Sequence, residues 1–352
     1  MAAGLRQSPD PLKRFREGTA IPAHPLALNS RLTLDERRQR ALTRYYLEAG
    51  AGGIAVAVHT TQFAIHEPHR GLLRPVLELA ATTAAEYGDP GTVLVAGACG
   101  GIAQAVKETE LAAGLGYHAV LLAPYGAGAL SEDELIERAA VVGEVLPVIG
   151  FYLQPAVGGR PLSRRFWTRL AGLPSVLGIK VAPFDRYATL DVVLGVAASD
   201  RRADVALYTG NDDHIVGDLT STHPVGGTAP LEFVGGLLGQ WSVWTRSAVR
   251  LLQDACRARA GDTAALREVM AVDCALTDAN GAIFDVAGGF RGCVPGIHEV
   301  LRRQGLLAGL WCLDEDEVLS PGQLEEIDRI WQAYPQLRDD TFVNEHIDRW
   351  LS

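Results

Sequence analysis

Short apolar runs alternate with longer amphipathic stretches along most of the chain. Each apolar run has the length of a buried strand, and the stretches between them have the length of a helix. Eight strands are predicted over residues 20–28, 53–58, 92–96, 119–123, 147–152, 176–181, 204–208 and 238–243. This alternation is typical of parallel strands that are joined by helices.

The stretches between the predicted strands carry helix signals. Thr33 and Glu36 are suited to cap a helix over residues 33–49, and Ser131 precedes acidic residues that favour a helix N-terminus. Other helices are predicted over residues 72–87, 131–145, 161–173 and 190–198. Eight βα units of this size predict an α/β fold, a (β/α)8 TIM barrel over residues 18–260, rather than a doubly wound sheet.

Beyond residue 260 the pattern becomes wholly helical. Helices are predicted over residues 263–278, 296–304, 321–333 and 340–351. Since no repeat or flexible linker separates the two parts, we expect residues 261–352 to form a C-terminal helical region that packs on the barrel. Residues 1–17 are interpreted as an N-terminal extension.

Composition and charge restrict the class of protein. The chain has 352 residues, of which 48% are hydrophobic, and its formal net charge is −10, so neither nucleic acid nor an anionic membrane is an expected partner. Five cysteines without CxxC spacing indicate free thiols in a reducing compartment. Since neither a signal-peptide core nor a long apolar span occurs, a soluble cytoplasmic protein is expected.

A single lysine ends one of the predicted strands. Lys180 follows the apolar run 176–179, where loss of water would lower its pKa and provide a neutral amine for attack on a ketone. Tyr152 ends the preceding strand and could move the protons that imine formation requires. The alternative interpretation pairs Lys180 with Asp185 and places Tyr152 over a core.

Other polar residues collect where strands are predicted to end, which is the catalytic face of this barrel. Thr60 and Thr61 offer two hydroxyls and backbone N–H groups that could hold a small carboxylate. An ordinary strand end with self-satisfied hydroxyls is the alternative. His59 is interpreted as lining the same site, or as a packed histidine.

Several of these motifs, in the same order, resemble those of the dihydrodipicolinate synthase and N-acetylneuraminate lyase family. The resemblance extends over about residues 18–333. Its motifs are listed here with the family pattern that each resembles: Gly178-Ile179-Lys180 for the imine lysine, Tyr152-Leu153-Gln154-Pro155 for Tyr-Asn-x-Pro, His59-Thr60-Thr61 for Gly-Thr-Thr, His24-Pro25 for Thr-Pro, and Gly210-Asn211-Asp212 for Gly-Asp-Asp. The 28-residue interval between the tyrosine and the lysine also matches.

The resemblance implies a class I lyase, an aldolase or dehydratase, that binds pyruvate or another 2-oxo acid, and in some cases an aldehyde. Lys180 would form the imine, Tyr152 would move protons, and Thr60 and Thr61 would hold the carboxylate. His59 and the Gly210-Asn211 pair are further expected substrate contacts. The resemblance also implies no cofactor, no metal, and a homo-oligomer, either a dimer or a tetramer.

Three departures from the family pattern point to a divergent member. Gln62-Phe63 replaces the family's Gly-Glu, and Gly126 occupies the position of a second tyrosine. Val157 occupies the position of the arginine that would bind the carboxylate of the second substrate in dihydrodipicolinate synthase proper, so that activity is not expected. The altered loop looks more like that of the hydratase-aldolases that cleave aromatic pyruvate adducts.

Two alternative functions remain open from the sequence. The lost tyrosine at Gly126 favours a catalytically weak barrel that binds a 2-oxo acid as a ligand. Asp212, Asp213 and His214 could instead hold a divalent metal, as in a metal-dependent lyase. Turnover separates the first alternative from a Schiff-base lyase, and sensitivity to a chelator separates the second.

Overall fold

The computed structural model describes residues 10–225, 227 and 229–352. Residues 1–9 of the predicted N-terminal extension lie outside the described residues. The strands are β1 (Ala20–Pro22), β2 (Gly53–Val56), β3 (Val93–Ala98), β4 (Ala119–Leu122), β5 (Val148–Leu153), β6 (Val176–Ala182), β7 (Ala206–Thr209), β8 (Thr222–His223) and β9 (Leu231–Leu238).

Eight of these strands form a parallel barrel. Their order in the sheet is β1-β9-β7-β6-β5-β4-β3-β2, and a parallel bridge between Ala23 and Ala55 brings β2 back to β1. The short strand β8 pairs antiparallel with β9 and stands outside this order. The chain therefore folds as the predicted (β/α)8 TIM barrel.

Helices surround the barrel and continue beyond it. They are α1 (Pro11–Glu17), α2 (Glu36–Ala49), α3 (Leu73–Tyr87), α4 (Ile102–Gly114), α5 (Glu132–Val142), α6 (Arg164–Gly172), α7 (Arg186–Ala197), α8 (Ile215–Thr220), α9 (Thr245–Arg259), α10 (Thr263–Ile283), α11 (Cys293–Arg303), α12 (Gln323–Ala333) and α13 (Asp340–Trp350). The helix start predicted at Ser131 is confirmed. The Ser131 hydroxyl accepts a hydrogen bond from the Glu134 N–H, and the Glu134 carboxylate accepts one from the Ser131 N–H. The cap of α2 is Asp35 rather than Thr33.

The last barrel strand differs from its prediction. Residues 240–242, predicted as strand, form a short 3₁₀ helix, and the strand that closes the barrel is β9. Two glycines inside β9 hide it from a search for apolar runs. A Cβ on Gly235 would lie 2.4 Å from the Thr19 carbonyl oxygen, and one on Gly236 would lie 2.6 Å from the Trp241 ring, so close packing demands both glycines. The first predicted strand, residues 20–28, is also shorter and ends at Pro22.

Two buried layers define which way each strand residue faces. On β5, Ile149, Phe151 and Leu153 belong to the core inside the barrel, whereas Val148 and Tyr152 belong to the layer between strands and helices. This alternation is the two-residue period of a strand. The side chains that face inward near the strand ends are therefore the ones that can reach the mouth of the barrel.

Helix α1 fills the end of the barrel opposite the mouth. Phe15 on this helix is fully buried, stacks on Tyr208 with ring centroids 4.4 Å apart, and accepts a hydrogen bond from the Tyr208 hydroxyl through its carbonyl. Helix α1 of the predicted extension thus contributes Phe15 to the core inside the barrel, with Leu12 packed against that core.

The C-terminal helices pack on the barrel helices, as expected. Helix α10 lies against α8 and α9, and α13 lies against α2. Asp339, just before α13, accepts a hydrogen bond from the Tyr45 hydroxyl of α2 at 2.8 Å. Within the described residues, none of the helices combines the length and the apolarity that crossing a membrane requires.

Candidate functional site

A small cavity lies at the C-terminal ends of the barrel strands. Its volume is about 40 Å³. Its lining residues are Ala23, Val58, His59, Thr60, Phe151, Leu153, Gln154, Val157, Lys180, Ala182, Phe184, Gly210, Asp212, Gly239, Phe284 and Cys293.

Lys180 reaches this cavity from β6. The residue is 6% exposed, and its Nζ lies 4.4 Å from the centre of the Phe151 ring. Lys180 forms no ion pair among the described residues. Asp185, the partner considered from the sequence, instead caps α7 by accepting a hydrogen bond from the Ala188 N–H at 2.7 Å. The alternative in which Lys180 pairs with Asp185 is therefore wrong, and the amine remains available for chemistry.

The stem of Lys180 runs along the backbone of Gly210. A Cβ at position 210 would lie 2.7 Å from Cε of the lysine and 2.8 Å from the Ala182 Cβ. Gly210 is therefore the residue that leaves room for the lysine, and its place in the cavity agrees with its prediction as a site residue.

Burial dominates the electrostatics of the lysine. It lowers the pKa of Lys180 from its ordinary value, while the negative charge of Asp212 acts in the opposite direction. Burial likewise raises the pKa of the Asp212 carboxyl, and the Gln240 N–H and Lys180 oppose that rise. Both groups therefore change protonation closer to neutral pH than they would in water, and a neutral amine becomes accessible.

Asp212 is fixed on the opposite side by the loop after β9. Its Oδ1 accepts a hydrogen bond from the Gln240 N–H at 2.9 Å, and its carbonyl accepts one from the Asn280 side chain at 2.7 Å. Sequence reasoning placed Asp212 in the Gly210-Asn211-Asp212 motif and considered it as a metal ligand, but gave it no role beside Lys180. The signal that could have identified it is its position two residues after the glycine that accommodates Lys180.

Tyr152 does not share the cavity with Lys180. The β5–β6 register pairs Phe151 with Lys180 and Tyr152 with Val181, so Tyr152 points outward toward α6. Its ring packs 5.0 Å from that of Trp167, and its hydroxyl is 3.5 Å from the Leu162 N–H that donates to it. The structure therefore does not support the predicted role of Tyr152 in proton transfer, and it agrees with the alternative of a residue that packs on a core.

The predicted threonine pair is committed to the backbone. The Thr60 hydroxyl donates to the Ala23 carbonyl at 2.7 Å, and the Thr61 hydroxyl donates to the His24 carbonyl at 2.6 Å. Thr60 lines the cavity, whereas Thr61 is fully buried and is not among the lining residues. Neither hydroxyl can donate to a carboxylate while these bonds persist, as the alternative interpretation supposed.

His59 and Asn211 fall on different sides of the cavity wall. His59 lines the cavity, and burial together with the charge of Lys180 lowers its pKa to about 4, so the ring is neutral at neutral pH. The side chain of Asn211 faces away: its amide donates to Thr189 and Asp218, and its oxygen accepts from the Phe184 N–H. Asn211 thus organises the loop rather than the cavity.

The three residues considered as metal ligands diverge. Asp212 lines the cavity, Asp213 is exposed, and His214 folds over Gly217 at the start of α8, where a Cβ on the glycine would meet its ring at 2.1 Å. Among the described residues, His66, Cys99 and Glu108 are the ones whose ligand-type atoms lie within 4.8 Å of one another. That cluster is tied into hydrogen bonds described below.

The C-terminal region supplies residues that the sequence did not point to. Phe284, just after α10, and Cys293, at the start of α11, both line the cavity. Phe290 packs edge-on against Phe184 with ring centroids 5.7 Å apart, and Gln62 accepts a hydrogen bond from the Leu313 N–H at 2.6 Å. These contacts cover the mouth of the barrel.

Backbone strain is concentrated in the same area. Positive φ angles occur at several residues other than glycine, and those near the mouth are Ala57, Gln62, Phe184, Asp285 and Phe290. Conformations of this kind cost about 1–3 kcal/mol each and persist where the surroundings enforce them, which is frequent at functional sites.

Comparison with known proteins identifies the same architecture. No family model matches the sequence, and no curated protein matches it. Among solved structures, the chain is similar to dihydrodipicolinate synthase from Oceanobacillus iheyensis, with a TM-score of 0.71 and 18% identity over 92% of this chain and 99% of that one.

Two further solved structures share the fold. N-acetylneuraminate lyase from Fusobacterium nucleatum gives a TM-score of 0.70 and 16% identity over 92% of this chain and all of that one (100%). A dihydrodipicolinate synthase from Acinetobacter baumannii, complexed with pyruvate, gives a TM-score of 0.71 and 18% identity over 91% and 98% of the two chains. The chain therefore has the fold of the dihydrodipicolinate synthases and N-acetylneuraminate lyases.

Proposed function

We propose that this protein is a divergent member of the dihydrodipicolinate synthase and N-acetylneuraminate lyase family, a class I lyase that binds pyruvate or another 2-oxo acid as an imine on Lys180. The observation that carries the proposal is a buried lysine without an ion-pair partner in the described structure, which enters a cavity at the catalytic end of the barrel. The shared fold with a synthase complexed with pyruvate supports the substrate class.

The chemistry follows from a buried amine whose pKa is lowered, so that its neutral form is accessible. The Nζ of Lys180 adds to the keto carbon of the acid, and the resulting carbinolamine loses water to give the imine. Once protonated, the imine withdraws electrons from the neighbouring carbon. Loss of a proton or of an aldehyde from that carbon gives an enamine, which can then add to an aldehyde or expel a leaving group as water.

The apolar lining supports a second substrate without a carboxylate. Val157 lines the cavity at the position where the synthase proper would have arginine, together with Leu153 and Phe184. Among the described lining residues, Lys180 carries the only formal positive charge. A hydrophobic aldehyde is therefore a better partner for the enamine than the anionic aldehyde of the lysine-biosynthetic reaction.

The direct experiment is reductive trapping. The protein is incubated with a panel of 2-oxo acids and cyanoborohydride, and the modified peptide is identified by mass spectrometry. The chain has three lysines, Lys13, Lys107 and Lys180, and the first two are exposed. Pyruvate or a related acid should modify Lys180, and Lys180→Ala should lose the adduct while Lys13→Ala and Lys107→Ala retain it. An adduct that persists in Lys180→Ala, or fails to form with every acid, would contradict the proposal.

A second function, binding of a 2-oxo acid without efficient turnover, is favoured by the outward position of Tyr152. In that case Lys180 would still form the adduct, but no aldehyde or elimination product would accumulate. Product analysis with 2-oxo acid and aldehyde pairs separates the two functions.

A further inference from the structure

Proton transfer at Lys180 needs a group other than Tyr152. The tyrosine hydroxyl lies on the outer side of the barrel wall, where it contacts the Leu162 N–H. A group that acts on a substrate bound to Lys180 must line the same cavity as the amine. The imine cycle requires such a group, since the carbinolamine hydroxyl must leave as water and, once the protonated imine has formed, the neighbouring carbon must lose a proton to give the enamine.

Most polar side chains in the cavity are unsuited to this task. The Thr60 hydroxyl donates to the Ala23 carbonyl, and the Gln154 amide is neither an acid nor a base near neutral pH. Burial raises the pKa of the Cys293 thiol well above its usual range, so it stays protonated. Burial keeps His59 neutral, and a base with a pKa of about 4 takes up a proton poorly at neutral pH.

Asp212 meets the geometric requirements. One carboxylate oxygen is held in place by the Gln240 N–H at 2.9 Å. Asp212 and Lys180 both line the cavity, yet they form no ion pair within the described structure. A carbon bound to Nζ would therefore enter a cavity that Asp212 also lines.

The charges around the carboxyl come from three elements. Lys180 faces it from β6, and Asp213 follows it on the same loop. Cys293 approaches from the start of α11 and is neutral. The lysine is thus the cation that balances Asp212, and the pair can exchange one proton without a change in net charge.

On this basis, and resting on the proposed function, we infer that Asp212 is the catalytic acid–base residue of the imine cycle. As a carboxylic acid it gives its proton to the carbinolamine hydroxyl, the C–O bond breaks, and water leaves as the imine forms. As a carboxylate it then removes a proton from the carbon next to the imine carbon, and the electron pair of that C–H bond forms the enamine double bond. Reversal of both transfers restores the acid and the carbonyl compound.

The Asp212→Asn variant separates proton transfer from simple charge pairing, because the two roles predict opposite changes. The charge of Asp212 acts to raise the pKa of Lys180, so its removal leaves more neutral amine and would speed imine formation if charge were the only role. If Asp212 transfers protons, imine formation slows by about 10²–10⁴-fold, the usual contribution of a general acid or base.

Two rates are measured in the full-length protein with pyruvate as the probe, or with the 2-oxo acid that labels best. The first is the rate of trapping by cyanoborohydride, and the second is the exchange of the hydrogens next to the carbonyl with deuterium in D₂O, followed by NMR. Both should fall in Asp212→Asn and remain within about twofold of the parent protein in the control Asp200→Asn, whose side chain is exposed and lies outside the cavity.

The melting temperature of each variant shows whether the fold is preserved. Asn at position 212 still offers an oxygen to the Gln240 N–H, and Asp212→Ser, which also keeps an acceptor, serves if the first variant does not fold. Normal or faster rates in a folded variant would overturn the inference and leave the proposed function intact. Failure of the parent protein to label with any acid would overturn both.

Discussion

Lys180 can enter the cavity because the residue beside its stem is a glycine. The missing Cβ of Gly210 is the space that Cε occupies, and Ala182 bounds that space on the other side. The sequence identified Gly210 by its likeness to a family motif. Its physical reason, room for a lysine from the neighbouring strand, depends on the β6–β7 register and is not visible in the sequence.

We expect Gly210→Ala to displace the lysine. Forcing one more methyl group into a packed core costs about 1–3 kcal/mol of unfolding free energy, and the reacting amine would move out of line. Trapping of a 2-oxo acid should fall by at least about tenfold, since small misplacements cost large factors in rate. Gly128→Ala is the matched control, because a Cβ there meets nothing within 4 Å. Equal trapping rates in the two variants would mean that Gly210 does not shape the site.

His66 is a buried histidine whose hydrogen-bond partners favour its charged form. Its Nδ1 lies 2.9 Å from the Glu108 carboxylate and its Nε2 lies 2.9 Å from the Ala57 carbonyl, so both nitrogens face acceptors and the ring is a cation. Burial acts to lower the pKa of His66, but hydrogen bonds with Cys99 and Glu108 prevail and raise it to about 10.

This ion pair should make stability depend on pH. Because the folded pKa of His66 exceeds the unfolded value of 6.5, its contribution is complete below that value and is lost as pH rises toward about 10. His66→Gln should therefore lower the unfolding free energy by about 3–5 kcal/mol near pH 6, where a buried partner is left unpaired. Denaturant titrations should give a smaller difference near pH 10. A difference that grows with pH would contradict the assignment of a cation.

At the scale of elements, strand register decides which residues meet. Alternation of apolar and polar runs predicted most barrel strands, because a buried parallel strand leaves a continuous apolar run in the sequence. This alternation of runs could not predict whether Phe151 or Tyr152 faces the barrel interior. A strand that is apolar on both faces shows no residue-by-residue alternation of apolar and polar side chains. The resemblance to the family pointed to Tyr152 as the residue beside Lys180. In the structure the β5–β6 register instead pairs Phe151 with Lys180, and Phe151 faces inward.

The register predicts a mild effect for Tyr152→Phe. The hydroxyl makes a 3.5 Å contact with the Leu162 N–H on the outer side of the wall, and Tyr152 does not line the cavity that Lys180 enters. Adduct formation at Lys180 should stay within about twofold of the parent protein, as for substitutions away from a site. A loss of about a hundredfold or more, as expected of a general acid–base residue, would place the tyrosine hydroxyl at the imine and contradict this register.

At the scale of the whole molecule, the C-terminal region completes the site. Its helices were predicted from periodicity, but periodicity does not report which distant residues a helix end will reach. Phe284 and Cys293 line the cavity, and the Phe290–Phe184 contact holds the segment between α10 and α11 over the mouth. Displacement of this cover would open the small cavity further to a 2-oxo acid.

Thiol reactivity reports on that movement. Cys293 is buried beneath the cover, whereas Cys274 is exposed. We expect iodoacetamide to alkylate Cys274 rapidly and Cys293 slowly. Phe290→Ala should raise the rate of Cys293 alkylation by about tenfold, because the edge-on contact with Phe184 is lost. Peptide mass spectrometry follows each thiol, and Cys99, buried inside the barrel, is the internal control. Unchanged protection of Cys293 would mean that Phe290 does not hold the cover.

The imine at Lys180 is the central claim, and a crystal structure of the protein reduced with cyanoborohydride in the presence of pyruvate tests it most directly. We expect continuous electron density from Nζ of Lys180 to the former keto carbon, with the Asp212 carboxyl facing the adjacent carbon. Density for pyruvate that is separate from the lysine, or an adduct on Lys13 or Lys107, would contradict it.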